Sequence, residues 1–173
     1  MENFTNETID TKQLPRYEEV QLTALHPKYK YVVLINCAIV IAILFIAFTA
    51  FFISNSDEFT KRIWLFLGIA TATVSGLILF FSLLGFKKKA FAFRNHDVIY
   101  RSGIIATNTM IIPYNRVQHV ALHEGLVSRF FGLAKVEIFT AGGNSSDLEI
   151  PGIAKEEAEN IKQLLMGKIQ KQL

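Results

Sequence analysis

Hydrophobic positions are distributed very unevenly along this chain of 173 residues. Two long apolar runs, residues 32–53 and 63–86, contain no Asp, Glu, Lys or Arg and lie nine residues apart. At 1.5 Å per residue in a helix, the runs reach about 33 and about 36 Å, which is enough to cross a hydrocarbon core of about 30 Å. The nine residues between them can only reverse the chain. The pattern therefore predicts a transmembrane helical hairpin.

Beyond residue 86 the pattern changes to short segments, rich in Val, Ile and Phe, in which apolar and polar residues alternate. Alternation of this kind is typical of strands with one buried face. The predicted strands are residues 90–94, 98–101, 110–112, 117–122, 136–140 and 148–150. Reversals are predicted at 95–97 and 142–146, because Asn, Asp and Gly accept turn conformations.

Two helical segments complete the predicted domain. Residues 155–171 are predicted to form an amphipathic helix, whose apolar stripe consists of Ala158, Ile161, Leu165 and Ile169. A short helical turn at 125–131 is expected to direct three side chains inwards, those of Leu126, Phe130 and Phe131. The predicted fold class is α+β, with a two-helix transmembrane hairpin followed by a small sheet or partly open β-barrel closed by a C-terminal helix.

The chain is therefore divided into three parts: an N-terminal tail at 1–31, the hairpin at 32–86 and a domain at 87–173. The tail is too short and too polar to fold alone, and two alternatives stay open for it. Either residues 1–27 are disordered, or residues 17–25 lie on the domain.

Basic residues near the ends of the spans predict the orientation, because cytoplasmic segments retain Lys and Arg. Lys28 and Lys30 precede the first run, and the connecting loop holds Lys61 and Arg62, so these two sides nearly balance. The lysine triplet 87–89, directly after the second run, breaks the tie. We expect a two-span protein of the cytoplasmic (inner) membrane, with both termini in the cytoplasm.

Neither apolar run carries an ionisable residue besides Cys37, which disfavours transport or channel activity. Small residues recur at four-residue spacing, which lets helix backbones approach closely. The candidate helix-packing residues are Gly68, Ala72 and Gly76 on the second run and Ala38, Ala42 and Ala50 on the first. Packing within the hairpin is the first interpretation, and dimerisation with another membrane protein is the alternative.

Charge outside the runs is mildly positive. Residues 87–173 hold twelve Lys and Arg against eight Asp and Glu, so 12 − 8 = +4. Cations near an anionic leaflet favour contact with lipid headgroups. The candidate lipid or partner contacts are Lys87, Lys88, Lys89, Arg94, Arg101, Arg116 and Arg129. For Arg116 and Arg129, a solvated or salt-bridged structural role is the alternative. Nucleic-acid binding is not supported, since the charge is weak and no recognised motif is present.

Catalytic and metal-binding patterns are not evident. His119 and His123 would lie about 13 Å apart on a strand, too far to share one zinc ion. The sequence has no phosphate-binding loop of the G-x-x-x-x-G-K-[ST] type. Ser145 and Ser146 have no obvious base partner. We therefore expect a non-enzymatic protein without a cofactor or metal.

Three blocks and a preceding segment resemble a known family. Residues 112–118 (IPYNRVQ), 125–133 (GLVSRFFGL) and 136–143 (VEIFTAGG), with RSGII at 101–105, resemble the bacterial pleckstrin-homology-like (bPH2) family of membrane proteins. The order of two spans and one such domain is similar to its YdbS type. The resemblance implies a seven-stranded PH-like barrel closed by the C-terminal helix, with a further strand expected near 104–108. It implies a membrane location but no agreed activity and no catalytic residues.

The leading hypothesis is a non-enzymatic membrane protein that displays its PH-like domain in the cytoplasm as a binding or assembly module. Besides the lipid bilayer, the expected partners are proteins: a larger membrane protein with several PH-like domains, or a second copy of this chain. Recognition of anionic phospholipid headgroups by the domain is the alternative. An enzyme or transport accessory subunit is a remote third interpretation.

Overall fold

The structure is a computed structural model and describes residues 8, 17–55, 61–141 and 146–170. Two helices, α1 (Tyr29–Ser54) and α2 (Lys61–Lys88), contain the two apolar runs and are long enough to cross a membrane. Only 11% and 6% of their most apolar windows are buried inside the structure. A core helix of a soluble protein would be mostly buried, so the exposed apolar surface favours spans. The predicted reversal between them lies largely outside the described residues.

The hairpin is packed along a face that includes Cys37 and Phe48 of α1 and Gly68 and Ser75 of α2. Cys37 and Ser75 are 6% and 7% exposed, and a Cβ atom at Gly68 would lie 3.9 Å from the Phe48 ring. The Ser75 hydroxyl donates a 2.8 Å hydrogen bond to the carbonyl of Thr71 one turn earlier, so this buried hydroxyl is satisfied within its own helix.

The predicted small-residue stripe coincides with this face only at Gly68. Nothing lies within 4 Å of a Cβ built on Gly76. The other small residues are exposed, namely Ala38, Ala42, Ala50 and Ala72. A strict four-residue spacing turns by about 40° per step around a helix of 3.6 residues per turn, so the stripe leaves the interface. This corrects the prediction that these residues pack the hairpin, and their packing against another helix stays a prediction.

Seven antiparallel strands and two helices form the rest of the described chain. The first sheet has the order β1 (Thr23–Ala24), β2 (Ala90–Phe93), β3 (Asp97–Ser102) and β4 (Asn108–Pro113). The second has the order β5 (Val117–His123), β6 (Leu133–Thr140) and β7 (Leu148–Ala154). Helix α3 (Leu126–Phe130) joins β5 to β6, and α4 (Lys155–Gln170) follows β7. The α+β class and all six predicted strands are confirmed.

The seventh strand is not where the resemblance led us to expect it. Residues 104–107 form a turn between β3 and β4, and the additional strand is β1, which pairs Thr23 with Phe91 and Ala24 with Ala90. A two-residue strand is too short to show an alternating pattern, so the sequence could not reveal it. Residues 17–25 therefore lie on the domain. Residues 1–7 and 9–16 lie outside the described part of the chain.

The two sheets are not closed into a barrel, because among the described residues β4 pairs only with β3 and β5 only with β6. They share one hydrophobic core, in which Val98, Ile138 and Ile150 are fully buried. Helix α4 covers the second sheet with Ala158 and Leu165, each 0% exposed. Ile161 and Ile169 are partly buried against the same core, which confirms the predicted stripe.

The domain is joined to the hairpin where α1 begins. The backbone N–H of His26 donates a 2.9 Å hydrogen bond to the carbonyl of Gly152 on β7. Gly152 has φ +67°, and a Cβ atom there would lie 2.4 Å from Cγ of Tyr29, the first residue of α1. The Tyr29 ring also contacts Phe86 near the end of α2, at 6.1 Å between centroids. Both helices and β7 therefore meet around one tyrosine.

Replacement of Gly152 by Ala tests this junction. A side chain in the left-handed region costs about 1 kcal/mol, and the clash with Tyr29 adds about 1–3 kcal/mol, so we expect clear destabilisation. The matched control is Gly132→Ala, because Gly132 also has φ +67° but a Cβ there meets nothing within 4 Å. Thermal unfolding of the full chain in detergent should show a larger loss for Gly152→Ala. Equal losses would contradict the close contact.

Candidate functional site

The antiparallel topology gives the domain two ends. One end, here called the hairpin end, carries the beginning of α1, the end of α2, the β3–β4 turn, α3 and the β7–α4 junction. The register confirms this grouping, because Ala90 pairs with Arg101, His123 with Lys135 and Leu133 with Ala154. The opposite end carries the reversal at 94–97 and the turn at 114–116.

A cavity of about 480 Å³ opens at the hairpin end. It is lined by Leu22, Ala24, Lys87, Lys88, Lys89, Ala90, Arg101, Gly103 and Thr107. Four of these are residues that the sequence marked as candidate contacts: the lysine triplet and Arg101. We call this feature the basic cavity. Its described lining contains four cations and no carboxylate.

The electrostatics of the basic cavity favour an anion. Lys87 and Lys88 are exposed in the last turn of α2, where the helix dipole stabilises positive charge. Burial lowers the pKa of Lys89, while the charge of Glu149 opposes that shift. Partial burial therefore penalises the charged form of Lys89, and a bound anion would compensate for that cost. Phosphate oxygens suit such a set of donors, because ammonium and guanidinium groups form charge-assisted hydrogen bonds with them.

Arg94 is at the opposite end of the domain and already has a partner. Its Nε donates a 2.6 Å hydrogen bond to Oδ1 of Asp97, and this bond raises the pKa of the guanidinium. The Tyr114 hydroxyl donates a 2.6 Å bond to the Arg94 carbonyl, and burial raises the pKa of Tyr114 to about 12. These bonds hold the reversal between β2 and β3. The structure thus gives Arg94 a structural role and does not bring it to the basic cavity.

Arg116 lines a different cavity of about 490 Å³ beside the outer edge of β4. This edge cleft is lined by Met110, Ile111, Ile112, Pro113, Arg116, Thr140 and Asp147. The backbone N–H and the hydroxyl of Thr140 donate bonds of 2.8 and 2.6 Å to Oδ2 of Asp147, and they lower the pKa of that carboxyl. The edge cleft therefore presents the positive charge of Arg116, the negative charge of Asp147 and the apolar side chains of β4 to a ligand.

Arg129 is exposed on α3 at the hairpin end, outside both cavities. The prediction that α3 directs its apolar residues inwards is wrong for Leu126 and Phe130, which are 92% and 85% exposed. Helix α3 contacts both α1 and β6, and these two side chains point away from them. Phe131, just after α3, is half-buried and stacks on Tyr31 of α1 with ring centroids 5.9 Å apart.

The structure describes three of the four histidine and serine residues considered above, namely His119, His123 and Ser146. His119 and His123 both lie on β5, as the spacing argument requires, and His119 stacks on Phe139 at 4.1 Å. Ser146 donates a 2.9 Å hydrogen bond to Glu149, and Ser145 lies outside the described residues. Across residues 17–55, 61–141 and 146–170, no group of three or more His, Cys, Asp or Glu side chains is placed to hold a metal ion.

The sequence pattern identified the cations that line the basic cavity, but not the uncharged residues of the N-terminal segment that line it as well. Leu22 and Ala24 come from the N-terminal segment, more than sixty residues before the lysines in the chain. They reach the cavity because β1 pairs with β2. Neither residue carries a charge or belongs to a motif, so nothing local in the sequence marks it.

Residues 20–169 match the family model described as "Bacterial PH domain". The chain is similar to two proteins of Bacillus subtilis strain 168, UPF0699 transmembrane proteins YdbT and YdbS. Identity with YdbT is 34% over 85 residues, which are 47% of this chain and 17% of YdbT. Identity with YdbS is 36% over 67 residues, which are 39% of this chain and 40% of YdbS. The matches thus span less than half of either relative.

No solved structure matches the chain significantly. The relatives are named as transmembrane proteins, and the structure has two helices of spanning length, so this is a membrane protein with two spans. The family model covers most of the chain, including β1, both spans and the domain. The chain belongs to the bacterial PH domain family.

Proposed function

We propose that this protein is a non-enzymatic membrane protein whose PH-like domain binds anionic phospholipid headgroups in the basic cavity. The observation that carries the proposal is the convergence of Lys87, Lys88, Lys89 and Arg101 on one cavity at the end of a spanning helix. This geometry supports the lipid alternative of the sequence analysis more directly than it supports assembly with proteins.

The position of the cavity matches the depth of lipid headgroups. Helix α2 ends at Lys88, so the three lysines lie where the chain leaves the hydrocarbon core. A cation close to an anionic leaflet contributes about 1 kcal/mol, and four of them contribute about 4 kcal/mol. That attraction is not needed to hold the protein in the membrane, which the two spans already do. Its effect is therefore to select which lipids surround the domain.

The proposal includes the side of the membrane on which the domain lies, namely the cytoplasmic side. The lysine triplet and the domain lie at the same end of the hairpin, and positive flanks favour the cytoplasm. Both termini and the domain are then cytoplasmic, and the basic cavity faces the inner leaflet of the cytoplasmic membrane.

A second candidate function is protein assembly through β4, for which the edge cleft is the specific observation. Among the described residues the outer edge of β4 is unpaired, and Ile111 on it is 40% exposed. An unpaired edge can accept an extended strand from another protein by backbone hydrogen bonds. The partner would be a larger membrane protein with several PH-like domains or a second copy of this chain.

Substitution of Arg101 by Gln tests the headgroup proposal. Loss of one cation worth about 1 kcal/mol should weaken binding of phosphatidylglycerol about fivefold, with little effect on phosphatidylcholine. Native mass spectrometry of the full chain in detergent counts the bound lipids. Arg116→Gln is the matched control, because it removes the same charge from an exposed arginine outside the cavity. Equal weakening by both variants would indicate diffuse charge attraction and reject the site.

Cysteine labelling tests the orientation. In a Cys37→Ala background, a cysteine at Asn55 should react with a membrane-impermeant maleimide added to intact cells. A cysteine at Lys162 on α4 should react only after the cells are opened, because that helix belongs to the domain. The reverse pattern would place the domain outside and remove the basis of the cytoplasmic assignment.

A charge on the edge of β4 tests the assembly candidate. Ile111→Lys should prevent addition of a strand, since an edge lysine opposes pairing. A partner that co-purifies with the wild-type protein after mild detergent extraction should then be lost. Leu164→Lys is the control, because Leu164 is an exposed leucine on α4, 47% exposed and outside the cleft. Retention of the partner by Ile111→Lys would exclude the β4 edge.

A further inference from the structure

Three large apolar side chains of the domain are almost fully exposed. Ile105 is 94%, Leu126 92% and Phe130 85% exposed. The other exposed large apolar residues of the described domain are far less so, from 40% at Ile111 and Met166 to 47% at Leu164. Side chains of this size are unfavourable in water, and a group of them indicates a contact surface.

The three residues share the hairpin end of the domain. Ile105 belongs to the turn between β3 and β4, and α3 carries Leu126 and Phe130. Among the described residues, the opposite end of the domain has no large apolar side chain of comparable exposure. The exposed apolar surface is therefore directed to the side from which the spans leave.

The β3–β4 turn is placed against α2. Ile104, next to Ile105, has its Cδ1 atom 3.5 Å from the Cβ position of Gly85, three residues before the end of α2. Gly103 has φ +112°, and a Cβ there would lie 1.9 Å from the Ala106 carbonyl oxygen, so only glycine permits this tight turn. The turn is thus held in a conformation that points one isoleucine at α2 and leaves the next exposed.

Helix α3 is placed in the same way against α1. Phe131 stacks on Tyr31, the third residue of α1, while Leu126 and Phe130 stay exposed. Arg129 is exposed on the same short helix. An arginine beside apolar side chains is typical of the membrane interface, where its stem lies in the apolar layer and its guanidinium reaches the headgroups.

We propose that Ile105, Leu126 and Phe130 insert into the interfacial layer of the bilayer, Ile105 from the turn beside α2 and the other two from helix α3 beside α1. The occupant of this surface is lipid, because the residues next to the exposed ones contact the ends of the spans: Ile104 lies against Gly85 of α2, and Phe131 stacks on Tyr31 of α1. Insertion at two points fixes the tilt of the domain on the membrane. The inference stands on apolar exposure and not on headgroup selection, so it can hold even if the basic cavity proves unselective.

Fluorescence quenching in proteoliposomes tests insertion directly. In the Cys37→Ala background, single cysteines at 105, 126 and 130 carry an NBD label, and phosphatidylcholine with a doxyl group near its carbonyl is the quencher. Leu164→Cys is the matched control, because it also replaces an exposed leucine. Leu164 lies about 14 Å along α4 from Lys155, the first residue of that helix, and is therefore away from the hairpin end. We expect quenching at the three sites to be at least about twofold stronger than at 164.

Equal quenching at 126 and 164, with equal access of aqueous iodide, would overturn the inference. Self-quenching between labels at 126 without quenching by lipid would also overturn it, because a second copy would then cover the surface. If a labelled variant does not fold, Phe130→Trp in a Trp64→Phe background, with brominated lipids as quencher, provides the same readout. Headgroup selectivity is measured separately with Arg101→Gln, so failure of one proposal leaves the other testable.

Discussion

The contact between the beginning of α1 and β7 is the constraint on which the arrangement of this protein depends. Before it enters the membrane the chain runs through the domain: β1 pairs with β2, Leu25 is 4% exposed in the core, and His26 bonds to Gly152. At Tyr29 the same segment becomes a spanning helix. The second span is attached as well, because α2 ends at Lys88 and β2 begins at Ala90. Both spans are therefore joined to the same domain at neighbouring points. The domain therefore cannot hang from a flexible linker.

This attachment gives the two ends of the domain different surroundings. The end that bears the spans collects the basic cavity, Arg129 and the exposed apolar residues, all of which suit the boundary between hydrocarbon and headgroups. The other end is held by ordinary structural bonds, such as those of Arg94 with Asp97 and of Tyr114 with the Arg94 carbonyl. The edge cleft and the basic cavity share no lining residue, so the two proposed binding sites do not overlap.

Candidate cations that looked alike in the sequence have separate environments in the structure. Lys87, Lys88, Lys89 and Arg101 line one cavity, Arg116 lines another, Arg94 is paired and Arg129 lies on α3. The lysine triplet could be recognised because its members are adjacent and follow an apolar run. Arg101 could not be assigned to the same site on local grounds, because it joins the lysines only through the pairing of β2 with β3.

The sequence by itself determined the spans, six strands and the apolar stripe of α4, because each follows from a periodic pattern of side chains within one segment. Only the tertiary structure decided the role of β1, the open arrangement of the two sheets, the outward direction of Leu126 and Phe130, and the face on which the hairpin packs. The physical reason is the same in each case. These features depend on contacts between residues far apart in the chain, and a local pattern of hydrophobic residues does not carry that information.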